Sequence, residues 1–169
     1  MTVFRQYESS DLAHVRDLWE RINRDLAPEH LKDRFETYIR TALKAELDTI
    51  EEAFDPKTRN RFWVVATPEI IGTFGIQNRG DDTCELRRMY LSKEHRGRGL
   101  ASRMLAYAEE QARALRFQTM LLSTAEIQTN AIRLYQRTGY VLTKRETANE
   151  MSTKTIGGGL ERLHFAKAL

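Results

Sequence analysis

Lys93-Glu94-His95-Arg96-Gly97-Arg98-Gly99-Leu100-Ala101 decides how this chain is read. It joins a strand end at Met89-Tyr90-Leu91 to a helix whose apolar positions Leu100, Met104, Leu105, Ala108, Ala112 and Leu115 recur at helical spacing. A two-glycine turn opening a helix collects backbone N–H groups that have no helical acceptor. Together with the helix dipole they form an anion site suited to phosphate, running from Arg96 to Ser102. Gly97 and Gly99 let the backbone approach a ligand and take positive φ, and Arg96 and Arg98 add positive charge. Taken alone, the segment leaves two readings open: simple strand-to-helix punctuation, or a cradle for a phosphorylated ligand.

Working outward, the chain divides into short elements separated by turn chemistry. Val3 to Tyr7 reads as a first strand, and Ser9-Ser10-Asp11 offers a helix N-cap. Leu12, Val15, Trp19, Ile22 and Leu26 follow at helical spacing until Pro28. A second helix is expected over Leu31 to Phe54, stopped by Asp55-Pro56. Arg61–Thr67, Ile70–Asn78 and Thr83–Leu91, parted by Pro68-Glu69 and Arg79-Gly80-Asp81-Asp82, form a β-meander. After the glycine turn come a helix to about Leu115, a strand over Gln118 to Ser123 and a shorter helix over Thr129 to Thr138. Gly139 suits the left-handed position that ends that helix. Tyr140–Arg145 and Arg162–Lys167 are the final antiparallel strands, with Gly157-Gly158-Gly159 in the loop between them. Strand–helix–strand in the second half requires a parallel crossover, while the hairpins require antiparallel pairs. The expected fold class is α/β (α+β): a mixed, mostly antiparallel central sheet with helices on both faces.

Composition bounds the rest. The 169 residues suit one domain spanning 1–169, able to bury a sizeable core, and 41% hydrophobic with 30% charged residues is ordinary for a globular chain. No run approaches a membrane span, and Met1-Thr2-Val3-Phe4-Arg5-Gln6 lacks signal-peptide architecture. A single cysteine, Cys84, leaves no internal disulfide and fits a reducing, cytoplasmic setting; it reads as strand packing. His and Cys stand at no ligand spacing, so no metal is expected. The net charge is +3, unevenly spread: Leu86 to Arg116 carries eight Lys/Arg against three Asp/Glu. Lys44 to Pro56 reverses that balance, with Glu46, Asp48, Glu51, Glu52 and Asp55 against one lysine. Most of these charges read as solvated helix faces.

A second segment, Gln128-Thr129-Asn130-Ala131-Ile132-Arg133-Leu134-Tyr135-Gln136-Arg137-Thr138-Gly139-Tyr140, changes the weight of the first. With Arg96-Gly97-Arg98-Gly99-Leu100-Ala101, it resembles the GNAT superfamily of N-acetyltransferases over about Glu85 to Tyr140. Gln128 stands where asparagine is usual. The resemblance implies an acetyl-CoA co-substrate, no metal, and pantetheine lying along Met89, Tyr90 and Leu91 as an added strand, with the backbone of Met89 and Leu91 pairing its amides. It further implies Tyr135 as proton donor to the departing thiolate, with Gln128 and Asn130 near the pantetheine arm. Glu85 matches a general base used by some members; the competing reading is a strand carboxylate paired to an arginine such as Arg87. For Tyr135, the alternative is simple packing between helix and sheet. His95 reads as an exposed loop residue.

The expected function is transfer of acetyl from acetyl-CoA to a primary amine of a small molecule or protein, by direct attack in a ternary complex. Two other classes stay open: a nucleic-acid-associated or aminoacyl-tRNA-acetylating protein, suggested by the pI of about 9.1, and a non-catalytic CoA-binding regulator. No aromatic–basic interleaving supports nucleic acid as a partner. Nothing in the sequence excludes a homodimer or identifies the acceptor.

Overall fold

The structure, a computed structural model, describes residues 1–169. Its chain order is β1 (Val3–Gln6), α1 (Leu12–Leu26), α2 (Lys32–Tyr38), α3 (Lys44–Asp48), α4 (Ile50–Ala53), β2 (Arg61–Ala66), β3 (Ile70–Gly80), β4 (Thr83–Leu91), α5 (Leu100–Ala114), β5 (Thr119–Ala125), α6 (Thr129–Arg137), β6 (Val141–Ala148) and β7 (Leu160–Ala168). The strands form one seven-stranded sheet in the order β1-β2-β3-β4-β5-β7-β6, and only β4 and β5 run parallel.

Local chemistry sets the element ends. Asp11 accepts from the Glu8 N–H ahead of α1, satisfying a donor that the helix start leaves free. Leu26 ends α1 because Ala27 is extended, as the residue before Pro28 must be. The segment expected as one helix over Leu31–Phe54 is a helical run with two irregularities. A π-helical stretch spans Ile39–Leu43, and Thr49 parts α3 from α4. Gly139 (φ +94°) ends α6: the Tyr140 N–H bonds the Tyr135 carbonyl (3.0 Å) and the Gly139 N–H bonds that of Gln136 (3.3 Å). That pattern is a Schellman motif. β6 starts and ends later than expected, Tyr140 being a core residue rather than part of it, and β7 extends beyond its expected span at both ends.

Two apolar layers flank the sheet. On one face α5 and α6 bury Met104, Leu105 and Leu134 against Phe74, Ile76, Met120 and Phe165. On the other, α1 to α4 bury Val15, Trp19, Leu43 and Leu47 against Phe62 and Val64. Each fully buried aliphatic or aromatic side chain of this kind contributes about 1.5–3 kcal/mol. Trp19 is also held by a hydrogen bond from its Nε1 to Thr73 Oγ1 (2.9 Å).

The feature that makes a site is where β4 and β5 part. They pair at Thr83↔Thr119, Cys84↔Met120 and Glu85↔Leu121 and then separate, although β4 continues to Leu91 and β5 to Ala125. A bulge in β4 accompanies the separation. The register with β3 shifts between Thr73 and Gly75, Arg88 takes φ +52°, and Thr73 Oγ1 donates to the Arg88 carbonyl (2.9 Å). Bulges twist and bend a strand in this way. From Leu86 to Leu91, the β4 edge that faces β5 has no strand against it.

Candidate active site

A cleft occupies the gap between the diverging strands. Its walls include Met89 and Tyr90 of β4, Ser123 and Thr124 of β5, and Gln128 and Tyr135 of α6. At its β4 end the chain turns through Ser92–Gly99 into α5. Gly97 (φ +76°) and Gly99 (φ +74°) are left-handed, and a Cβ on either would meet nothing within 4 Å. The first amide to close the α5 ladder is the Arg103 N–H on the Gly99 carbonyl (3.1 Å). The N–H groups from Gly97 to Ser102 therefore find no acceptor within the protein. They are grouped at a helix start, with space around them, which is what a phosphate requires. Leu100 and Ala101 seat this turn against the core.

The two arginines behave differently from each other. Arg96 is committed to the scaffold, its Nε donating to the Leu91 carbonyl (2.9 Å), so it ties the turn to the end of β4. Arg98 is exposed and forms no ion pair. Ser102 Oγ accepts from Arg137 of α6 (3.2 Å), which links the two helices flanking the cleft. His95, read as exposed, is half-buried, with its Nδ1 against Ser92 Oγ at 2.7 Å.

Tyr135 is 7% exposed, its ring edge-on to Tyr140 (5.8 Å), and its hydroxyl borders the cleft without a hydrogen-bond partner. Burial pushes the phenol up to about 12. Gln128 sits at the N-cap of α6, where its amide oxygen accepts from Thr124 Oγ1 of β5; this clamps the helix start to the strand. Asn130, two residues further on, is exposed and does not line the cleft.

Glu85 marks the point of divergence and is 7% exposed. Its carboxylate accepts from Lys154 Nζ at 2.8 and 3.0 Å and from Arg79 Nε at 2.6 Å. Desolvation pushes its pKa up, but the Lys154 hydrogen bond and the charges of Lys154, Arg79 and Arg87 outweigh it and hold the group below its ordinary value. Thus Glu85 is ion-paired as the competing reading had it, through Lys154 and Arg79 rather than Arg87. Cys84 is buried on the opposite face of β4, its thiol pushed up to about 12 by burial, consistent with packing.

Three groups of the far wall were not singled out from sequence. Glu46 of α3 is buried and pairs with Arg87 (3.3 Å) and Arg88 of β4. The Arg88 guanidinium also donates to Tyr38 Oη (2.9 Å) and Tyr90 Oη (3.1 Å) and lies over the Trp19 ring. Most charges of the two blocks were expected on solvated helix faces; Glu46, Arg87 and Arg88 are exceptions, because the acidic stretch folds back onto the basic one across the sheet. The third is Arg162 of β7, whose Nε donates to Ser123 Oγ (3.0 Å). The loop between β6 and β7 covers this wall, fastened by Lys154 to Glu85, by Tyr38 Oη to the Thr153 carbonyl (3.3 Å) and by Arg34 to the Ile156 carbonyl (2.9 Å).

No group of three or more His, Cys, Asp and Glu side chains is placed to hold a metal, and no helix is long and apolar enough to cross a membrane.

Comparison with known proteins agrees with this geometry. Residues 16–140 match the model of the acetyltransferase (GNAT) family. N-acetylaspartate synthetase of Danio rerio is 30% identical over 135 residues, covering 76% of this chain and 46% of its own length. The N-acetyltransferase YjgM of Escherichia coli (strain K12) is 33% identical over 59% of this chain and 62% of its own length. The chain thus spans about half the length of the curated relatives it matches. Among solved structures, a GNAT-family acetyltransferase from Staphylococcus aureus Mu50 superposes with a TM-score of 0.77 at 14% identity, covering 100% of this chain and 99% of the other. The acetyltransferase yncA of Salmonella typhimurium, solved with acetyl-CoA, gives 0.74 at 17% identity over 100% of this chain and 94% of its own. With the motifs, the diverging strands and the family match all in one place, this chain belongs to the GNAT family of acetyltransferases.

Proposed function

We propose that the protein transfers an acetyl group from acetyl-CoA to a primary amine held in the same cleft. The observation that carries this reading is the joining, by one gap in the sheet, of unpartnered helix-start amides at Gly97–Ser102, an unpaired β4 edge, and the partnerless Tyr135 hydroxyl. Each is a group that folding left unsatisfied, at an average cost of about 1–3 kcal/mol when such a group is also shielded from water.

In this reading the amides of Gly97–Ser102 hold the pyrophosphate of the donor, and the free edge of Met89–Leu91 pairs its amides by strand addition. Gln128 holds the start of α6, and with it Tyr135, against β5. Bound acetyl-CoA supplies a thioester whose carbonyl carbon the amine attacks, so that a C–N bond forms, the C–S bond breaks and the sulfur leaves as thiolate. A backbone N–H near Met89 is aimed to stabilise the carbonyl oxygen as charge builds on it. Tyr135 donates its O–H toward the sulfur. A phenol held at about 12 protonates an ordinary thiolate near 8.5 against a gradient of about 3–4 pH units. Its hydroxyl therefore acts first as a hydrogen-bond donor, and the proton it yields is replaced by the one the acceptor nitrogen loses. Glu85 is assigned as the carboxylate that relays this proton through solvent to the Tyr135 oxygen and ends unprotonated. Its ion pairs keep it anionic, and a weak base, throughout the neutral range.

Calorimetric titration with acetyl-CoA, followed by thiol release against a panel of amines, tests the reading. Saturable binding at micromolar to sub-millimolar concentration with amine-dependent thiol release is expected. Absence of binding at millimolar acetyl-CoA overturns it, and binding without turnover on any amine points instead to a CoA-binding regulator.

A further inference from the structure

The cleft has two sides, and their charges differ. Strand alternation places Cys84, Leu86, Met120 and Leu122 toward α5 and α6, and Glu85, Arg87 and Ser123 toward the layer of α1 to α4. The glycine turn and Tyr135 belong to the first side. The second side is walled by Arg87, Arg88, Lys154 and Arg162. The carboxylates facing them are few and already engaged. Glu46 is shared by Arg87 and Arg88, Glu85 by Lys154 and Arg79, and Glu161 is drawn off to Arg145 of β6 (2.8 Å).

Arg162 is left over. It is half-buried, forms no ion pair, and is held in place only through Nε on Ser123, which leaves both Nη groups free on the cleft. A guanidinium withdrawn from water with no counter-ion is costly, and the fork of a free Nη pair matches a carboxylate. Arg88, whose side chain is 7% exposed, keeps an Nε with no acceptor on the same wall. The β6–β7 loop is fastened over this side by Lys154, Tyr38 and Arg34, so the space beneath it suits a small molecule rather than a polypeptide.

We propose that the acceptor is a small primary amine that carries a carboxylate, and that Arg162 binds this carboxylate. This proposal rests on the acetyl-transfer reading and specifies its substrate. It assigns the two sides of the cleft to two anions: the donor's phosphates at the glycine turn and the acceptor's carboxylate at Arg162.

Matched acceptors test it without any variant: phenylalanine against phenylalaninamide and phenethylamine, β-alanine against propylamine, and a short peptide for a protein N-terminus. Thiol release should favour the carboxylate member by at least tenfold in kcat/KM in at least one series. Arg162→Gln should shrink that ratio toward one, chiefly by raising KM for the carboxylate member, and Arg162→Lys should retain part of it. Calorimetry with N-acetylated amino acids in the presence of CoA supplies a readout independent of turnover, with binding that weakens in Arg162→Gln. Equal kcat/KM within every series, or preference for the amides, plain amines or peptide, overturns the carboxylate site and leaves acetyl transfer standing. No turnover of any acceptor while acetyl-CoA still binds removes acetyl transfer and this proposal together.

Discussion

Glu109 and Glu85 are both 7% exposed, and each is held by a lysine from a distant part of the chain, yet one closes a core and the other edges an opening. Glu109 of α5 accepts from Lys167 Nζ with both oxygens (2.9 Å each) and from Tyr140 Oη (3.1 Å), so its cluster seals α5 against β7. Glu85 accepts from Lys154 and Arg79 in the same manner, but it lines a cleft that also holds a tyrosine whose hydroxyl has no partner. Topology accounts for the difference. β5 and β7 stay paired from Thr119↔Ala168 to Ala125↔Arg162, whereas β4 and β5 part after Glu85↔Leu121. Where strands stay together, buried polar groups find each other; where they diverge, some are left for a ligand.

The tyrosines give the sharpest way to break this comparison. Tyr135→Phe should lower kcat by roughly ten- to a thousand-fold, the usual range for a proton-transfer group. KM for acetyl-CoA should change little, and the unfolding midpoint should stay near wild type because the ring is kept. Tyr140→Phe should do the reverse: kcat holds, while loss of a donor to buried Glu109 costs about 1–3 kcal/mol in urea unfolding. If both variants lose only stability, Tyr135 is a packing residue and the distinction between the two clusters disappears.

Gly99 sets the next largest effect. At φ +74° a valine costs about 1–2 kcal/mol in backbone strain, but its side chain meets no protein atom. Donor affinity should fall much more, by tenfold or beyond in calorimetry, because the side chain fills the space a phosphate would take. Wild-type affinity in Gly99→Val would put the phosphate cradle elsewhere.

Much of this was legible in sequence because its causes are local. The glycine turn, the cap at Gly139 and the apolar period of α5 each act over a few residues, and the second motif fixed the placing of Tyr135 and Gln128. The far wall was not legible. Glu46 meets Arg87 and Arg88 across 41 and 42 positions, and Lys154 meets Glu85 across 69. No spacing rule joins such partners, so each charge alone looked solvated. The π-helical turn at Ile39–Leu43 is similar, since nothing local in the sequence marks it. Asn130, the motif position expected near the pantetheine arm, is exposed at the start of α6.

Stability offers a finer contrast. Glu85→Gln keeps the shape but strands Lys154 and Arg79, and should cost about 1–3 kcal/mol, discounted because Arg79 and Lys154 are 36% and 38% exposed. Since Glu85 is held below its ordinary pKa, its folded value lies under the unfolded one. Its contribution is therefore complete above about pH 5 and is lost as pH falls through the folded value. Wild type and Glu85→Gln should converge in unfolding midpoint as the pH falls below the ordinary glutamate value of about 4.3. A constant gap at all pH values would mean that the charge is not what stabilises the site.

The smallest expected effect is an absence, and it tests the chemistry most directly. Tyr135 at about 12 keeps its proton across the neutral range, and Glu85, held low, keeps its charge. Neither supplies a titration between pH 6 and 9. The reactive acceptor is the free amine, so kcat/KM should rise about tenfold per pH unit below the amine's own pKa and level off above it. An acceptor with an α-amino group near 8 and one with an alkyl ammonium near 10 should then give limbs displaced by about two units on the same enzyme. Tyr135→Phe should lower both curves without moving either limb. Glu85→Gln should leave the limbs in place as well, because the carboxylate titrates below the range of the measurement. A limb that stays at one pH for both acceptors would reveal a protein group titrating near neutrality, and would shift the base role away from Glu85 to whichever side chain, once replaced, removes that limb.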